Sequence, residues 1–429
     1  MSTSTNLLSK AYPLGSRLTD DGRLEIGGCD ALELARKYKT PAYIVVEDDI
    51  RARAQAFRAA FAKYTGPTGS FDVVFASKAF GATAVFKLLA DENLGCDVAS
   101  AGELMMALRA GFKPDRIYMH GNAKTRSEIE RAVKHKVGHI VVDNMQDLER
   151  LEQAVPVGVR QRILIRVAPG VSPDTHPSIS TGGPNTKFGF NLRDAAPKAI
   201  DVARKSTKLQ LEGLHFHIGS QIMETSPFRT ALEAIVNLGN FPVISVGGGL
   251  GVVYTTDDEP PSIDNYVRDK VQAVRDVFGA DTRIIEEPGR ALVANAGVTL
   301  YTVESVKHNV DTWVAVDGGM SDNLRPMLYQ AKYEAQIADR FGGGTLCHVT
   351  GKHCESGDVL VRGADLADPK PGDILVTPTT GAYGQAMSNT YNGHCRPPVV
   401  FVQNGKDRVV VRREEIDDLF SRDIESDYQ

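Results

Sequence analysis

No apolar run in this sequence approaches the roughly 20 residues that a membrane-spanning helix needs, so no membrane partner is expected. Basic charge is not in excess either. The 49 lysines and arginines stand against 54 acidic residues, a formal net charge of −5, which offers nucleic acid no positive field. Cysteine is scarce and odd in number: Cys29, Cys96, Cys347, Cys354 and Cys395 include no C-x-x-C pair, which argues against a disulfide framework and for reduced thiols. Three of them adjoin His348, His353 and His394, yet the spacings match no common zinc pattern and no metal is expected. The phosphate loop G-x-x-x-x-G-K-[ST] is absent. So is the dinucleotide fingerprint G-x-G-x-x-G, because Val252 stands where its last glycine would follow Gly247-Gly248-Gly249-Leu250-Gly251. The opening stretch, Met1–Lys10, is polar and has no apolar signal core, so residues 1–13 read as a disordered leader of a cytoplasmic protein.

What the 429 residues do contain is a long alternation of two periods, enough for two domains. Apolar segments rich in β-branched residues predict eight strands: Phe71–Ala76, Gly95–Ala99, Arg116–His120, His139–Asp143, Ile163–Ala168, Leu211–Ile218, Val243–Gly247 and Arg283–Glu287. Helical spacing fills the gaps at Thr83–Asp91, Gly102–Arg109, Ser127–Val133, Met145–Glu152, Arg193–Ala203, Pro227–Leu238 and Ile263–Phe278. Near-continuous apolar strands alternating with helices predict a parallel sheet covered on both faces, here a closed (β/α)8 TIM-like barrel over 41–297. From about Val298 strands follow one another without helices, and Asn404-Gly405 between valine-rich runs signals a hairpin. Residues 14–40 together with 298–429 therefore read as a second, all-β sandwich or barrel domain, ending in a helix or frayed tail over Glu414–Gln429. The long polar loop Pro169–Gly189 reads as a lid over the barrel mouth.

Barrels keep their reactive groups on the loops that follow the strands, and capable residues recur there. Lys78 follows strand one, Asp97 ends strand two, His120-Gly121-Asn122 ends strand three, and His217-Ile218-Gly219-Ser220 ends strand six. Gly247-Gly248-Gly249 ends strand seven and Glu287-Pro288-Gly289-Arg290 ends strand eight. Each has an ordinary reading as a solvated strand-end lysine, a satisfied core histidine, a tight turn, or a glutamate paired with Arg290. Each also has a chemical one. A partly desolvated amine at the mouth of an apolar pocket can form a Schiff base, glycine amides can close on a phosphate, an imidazole can lie against a flat ring, and a carboxylate can keep a pyridine nitrogen protonated.

Nine segments in order carry a resemblance that covers nearly the whole chain. They are Ala76-Ser77-Lys78-Ala79, Cys96-Asp97-Val98-Ala99-Ser100, His215-Phe216-His217-Ile218-Gly219-Ser220-Gln221, Gly247-Gly248-Gly249, Glu287-Pro288-Gly289-Arg290, Asp317-Gly318-Gly319-Met320, Arg325-Pro326-Met327-Leu328-Tyr329, Cys354-Glu355-Ser356-Gly357-Asp358 and Gly381-Ala382-Tyr383-Gly384. The sequence resembles the barrel-fold pyridoxal-phosphate-dependent decarboxylases, of alanine racemase-like fold, and among them the diaminopimelate decarboxylases. The resemblance implies pyridoxal 5'-phosphate as cofactor, with Lys78 as the Schiff-base lysine, His217 on the ring and Glu287 at the pyridine nitrogen. Ser220, Gly248, Gly249, the backbone of Glu287, Pro288, Gly289 and Arg290, and Tyr383 would hold the phosphate, with Asp97 standing behind them. Arg290, Arg325 and Tyr329 would bind substrate carboxylate, with Tyr383 also facing substrate. Cys354 would donate a proton and Glu355 would meet the distal ammonium, both lent across a homodimer interface so that the sites are shared. The sequence departs from many relatives at Phe80, where they carry asparagine. The implied reaction removes carbon dioxide from meso-2,6-diaminopimelate to give L-lysine. The alternatives are a decarboxylase of the ornithine or arginine type, whose members usually have aspartate where this chain has Glu355, and a non-catalytic pyridoxal-phosphate-binding homologue.

Overall fold

The computed structural model describes residues 8–67, 69–171, 182–183 and 186–424. It divides into a unit formed by Arg51–Gly251 with Glu259–Leu292 and a second formed by the chain up to Ile50, Val252–Asp258 and Val293 onward.

In the first unit the strands Phe71–Ala76, Gly95–Val98, Ile117–Met119, His139–Val142, Gln161–Ala168, Leu209–His215, Val243–Ser245 and Arg283–Glu286 pair in parallel. The last pairs back onto the first, Ile284 opposite Phe71, which closes a TIM-like barrel. The interior is packed by Val74, Tyr118, Val141, Leu164, Val243 and Ile285, one from each of six strands and none more than 4 % exposed. Filled in this way the barrel is a core rather than a pore, and chemistry is left to its rims. Asp72 accepts from Tyr118 Oη at 2.7 Å and pairs with Arg116 and Arg283 at the start of these strands. The covering helices begin where side chains satisfy their orphan amides. Ser100, Asn144 and Ser262 each accept from the third helical N–H, and Thr125 with Glu128 forms a capping box before Arg126–Lys134.

Two strands stop two or more residues earlier than the spacing predicts. Leu209–His215 and Val243–Ser245 give way before Ile218 and Gly247, because Phe216–Ser220 and Val246–Gly249 leave the ladder to form mouth loops. Much of the expected lid, 172–181 and 184–185, lies outside the described residues. Its end is fixed: the Gly189 N–H donates to Asp143 at 3.0 Å and the Arg166 guanidinium lies 4.4 Å from the Phe188 ring.

The second unit is built on a sheet in which Val359–Leu366, Thr345–Thr350, Thr312–Val316, Gly297–His308, Ala42–Val46, Val399–Gln403 and Lys406–Val411 lie side by side, with Ile374–Thr377 also paired to Gly297–His308. Asn404 and Gly405 both take positive φ, 51° and 73°, at the hairpin between the last two strands. Within 14–40 the short strands Arg17–Leu18, Leu24–Ile26 and Cys29–Asp30 make a small sheet of their own, followed by helix Ala31–Tyr38. The early strand that enters the large sheet is Ala42–Val46, expected in the barrel domain. All five of its residues are buried, and it is paired on both sides. That strand draws the boundary of the barrel unit from 41 to Arg51, and the other end falls at Leu292 instead of 297. Of the expected leader, 1–7 lie outside the described residues, but Ala11 and Tyr12 are buried and Tyr12 meets Phe341 at 5.8 Å, so an apolar pair ties down a stretch expected to be disordered. The predicted C-terminal helix is confined to Ile416–Leu419, and 425–429 are outside the described residues. Among the described residues no helix is long and apolar enough to cross a membrane.

Candidate active site

The first barrel strand buries its last four residues and runs into a single 3-10 turn, Ser77–Ala79. That turn tucks Ser77 and Ala79 inward and leaves Lys78 exposed, so the amine is less desolvated than its place after an apolar strand implied. Its charge nevertheless acts on two neighbours, opposing the rise of Asp97 and adding to the fall of His217.

Glu287 lies one residue beyond the last strand and is 6 % exposed. Ser245 donates to its Oε1 at 2.7 Å, His215 Nε2 lies 3.0 Å from its Oε2, and His120 Nε2 lies 3.5 Å from Oε1. Burial alone would raise this carboxyl, but His215 and His120 outweigh it and hold Glu287 well below the usual carboxylate range. The cause is proximity of imidazoles in a site from which water is excluded. Burial raises Asp97 to about 6, with His120 opposing and Glu287 adding to the rise.

Between these groups and the rim lies the glycine turn. A side chain at Gly248 would put a Cβ 2.1 Å from the Glu287 carbonyl oxygen, and one at Gly249, φ +120°, would come within 2.6 Å of the Gly219 carbonyl. Both positions thus need glycine for backbone packing as well as for any anion. The Gly248 N–H donates to His217 Nδ1 at 3.3 Å, which makes the half-buried imidazole an acceptor on that side. Burial, and then the Lys78 charge, lower His217 well below the ordinary histidine range, so it is neutral. The Arg290 guanidinium is buried and donates to Ser220 Oγ at 2.9 and 3.2 Å, which joins two residues read for substrate and for phosphate.

Arg325, Tyr329, Tyr383, Cys354 and Glu355 belong to the sheet unit. Arg325 is 5 % exposed, donates to Tyr333 Oη, and stacks 4.6 Å from the Tyr254 ring and 5.5 Å from the Tyr333 ring. Among the described residues no carboxylate pairs with it within 4.0 Å, so aromatic faces hold its charge. Tyr383 has φ +62°, a strained conformation for a tyrosine. Cys354 and Glu355 are exposed on the turn between Thr345–Thr350 and Val359–Leu366. That turn is pinned by buried His353, whose Nδ1 lies 2.7 Å from Asp358, and by Asn392, which accepts the Cys354 N–H at 3.0 Å.

The sequence placed His120 among the capable strand-end residues without a specific part, and gave none to His215, Ser245 or Arg166. His215 and Ser245 fall inside the apolar runs Leu211–Ile218 and Val243–Gly247, so spacing does not distinguish them from core residues. The available signal was polarity: a histidine or serine flanked by fully buried positions must find a partner.

Barrel, glycine turn, neutral imidazole and buried carboxylate describe a known class, the barrel enzymes that work with a phosphorylated pyridine. Residues 47–294 match the family model described as pyridoxal-dependent decarboxylase, pyridoxal binding domain. The chain is 45 % identical over 428 residues to a diaminopimelate decarboxylase of Bacillus subtilis (strain 168), covering 95 % of this chain and 97 % of that one. Its fold is similar to crystal structures of diaminopimelate decarboxylase from M. jannaschii in co-complex with L-lysine (TM-score 0.91, 32 % identity, 98 % and 99 % of the two chains) and from Helicobacter pylori complexed with L-lysine (TM-score 0.84, 32 % identity, 91 % and 98 %). The chain belongs to the diaminopimelate decarboxylase family of pyridoxal-dependent decarboxylases. The residues at the mouth fit pyridoxal phosphate: a backbone turn without side chains suits an anion, and a buried carboxylate held ionised suits a protonated ring nitrogen.

Proposed function

We propose that the chain decarboxylates meso-2,6-diaminopimelate to L-lysine and carbon dioxide, with pyridoxal 5'-phosphate as cofactor. The observation that carries this reading is the Glu287 carboxylate, buried and held ionised beside His215 and His120, which suits it to a protonated pyridine nitrogen. When bound, the cofactor supplies an electron sink for the pair left on the α-carbon as the carboxylate departs. Lys78 would hold the cofactor through its ε-amine. His217, neutral and fixed by Gly248, would meet the ring. Gly248, Gly249, Ser220, the backbone from Glu287 to Arg290, and Tyr383 hold the phosphate. Arg290, Arg325 and Tyr329 bind substrate carboxylate, and Arg325 suits that part because aromatic rings, not a rival carboxylate, surround it.

Cys354 delivers a proton to the α-carbon and Glu355 receives the distal ammonium. Both are exposed on one turn of the sheet unit, which is how a residue is presented to a second copy of the chain, so a two-fold homodimer with shared sites is the assembly proposed. The protein acts in the cytoplasm, where its free cysteines stay reduced. Incubating purified protein with meso-diaminopimelate, ornithine and arginine and identifying the products tests the reading: L-lysine from the first alone supports it, and turnover of ornithine or arginine in its place overturns it. A pocket that pairs a polar terminus rejects substrates lacking it by large factors.

A further inference from the structure

His120 is assigned no contact with substrate or cofactor above, yet its Nε2 lies between two buried carboxylates, 3.5 Å from Glu287 Oε1 and 3.8 Å from Asp97 Oδ1. Its ring meets His215 edge-on with centroids 4.9 Å apart, and Arg166 is the other charged group acting on it. His120 is 7 % exposed and Asp97 8 %, so little water screens these charges. Burial lowers His120, but Asp97 and Glu287 together outweigh burial and leave it raised. His215 goes the other way, lowered by burial to about 4, and is neutral. In a pocket this dry, Glu287 needs a nearby positive charge, and His120 is the imidazole placed to carry it.

We propose that His120 is a positioning residue for the pyridine nitrogen: it holds a proton against Glu287 in the cofactor-free barrel and gives that proton up when the ring nitrogen is protonated at the same carboxylate. The proposal rests on the reading that Glu287 faces that nitrogen. One proton leaves His120 Nε2, one is gained by the ring nitrogen, and Glu287 stays anionic throughout, so the charge of the buried group does not change. Two cations on one buried carboxylate would repel each other, and releasing the imidazole proton avoids that repulsion.

The test counts protons. Titration calorimetry of pyridoxal 5'-phosphate into cofactor-free protein, repeated in buffers of different ionisation enthalpy, gives the number of protons exchanged on binding. Wild type should take up one proton fewer than His120→Gln at the same pH, because the imidazole supplies it internally; equal counts overturn the proposal. A second measurement needs no variant and so does not depend on His120→Gln folding. With ring-labelled histidine, NMR should show His120 charged at neutral pH in cofactor-free wild type and neutral in the loaded enzyme; an imidazole in one state throughout overturns the proposal. The underlying reading is checked separately with 15N-labelled cofactor in wild type and Glu287→Gln. If the ring-nitrogen shift is the same in both, the assignment of Glu287 fails and the proposal falls with it. If the shift differs but the proton counts are equal, only the role of His120 fails.

Discussion

A carboxylate kept ionised inside a barrel depends on each hydrogen bond that answers it, and Glu287 has Ser245 and His215 at hydrogen-bond distance. Replacing it by glutamine keeps the shape and removes the charge. Glu287→Gln should retain bound cofactor while kcat falls at least tenfold, about 1.4 kcal/mol at the transition state; an unchanged kcat with chemistry rate-limiting would remove Glu287 from the ring nitrogen. His215 makes a different prediction through its own titration. The unfolded chain binds a proton on this imidazole near pH 6.5, whereas the folded chain refuses it until about 4, because burial disfavours the charge. The unfolded state thus binds more protons in that window, and stability must fall as pH drops from 6.5 towards 4, by about 3 kcal/mol from this group. Thermal unfolding followed across that range should show a shallower fall in His215→Gln than in wild type.

At the scale of elements, the mouth loops rest on two lysines that the strand-and-helix pattern did not disclose. Lys270, on helix Ile263–Phe278, pairs with Glu286 at 2.7 Å with both side chains fully buried, and its Nζ lies 3.4 Å from the carbonyls of Val246 and Gly247. Lys124 pairs with buried Asp147 at 2.7 Å and donates to the carbonyls of Gly121 and Val141. Breaking a buried pair leaves an uncompensated charge, whereas replacing both partners by apolar residues is often neutral. Lys270→Ala should therefore destabilise the protein by about 3–5 kcal/mol. The double variant Lys270→Met/Glu286→Leu should come within about 1 kcal/mol of wild type in denaturant unfolding while binding cofactor more weakly, since the glycine turn loses its backing. Equal loss in both variants would show packing, not charge, to be at stake. The barrel strands were legible because their apolar runs are nearly continuous and their ends carry Lys78, His217 and Glu287. Lys270 was not, because one lysine among apolar helix positions reads like a surface residue until Glu286 is seen opposite. Helix Glu47–Thr65 was missed for a related reason: Arg51, Arg53 and Arg58 interrupt its apolar spacing.

For the whole molecule, the proposed shared-site homodimer leads to a mixing experiment. Lys78→Ala and Cys354→Ala homodimers should each have both sites damaged, whereas heterodimers formed by subunit exchange should have one site with both lesions and one with neither. Equal mixing should restore roughly a quarter of wild-type activity. If mass spectrometry shows exchange and activity does not return, Cys354 acts within its own chain or not at all. The exposed turn that carries Cys354 and Glu355 was found by motif alone. Its support from His353, Asp358 and Asn392 was not, because those contacts depend on how the turn folds back on itself.

Strand Ala42–Val46 has an implication for how the chain is made. Ile44 pairs with Val298 on one side and Val400 on the other. A ribosome therefore delivers this apolar strand long before either neighbour exists, and it must wait, unpaired, while every barrel strand is synthesised. Among the described strands it is separated furthest along the chain from its first partner, and such an unpaired apolar strand invites shielding by a chaperone during translation.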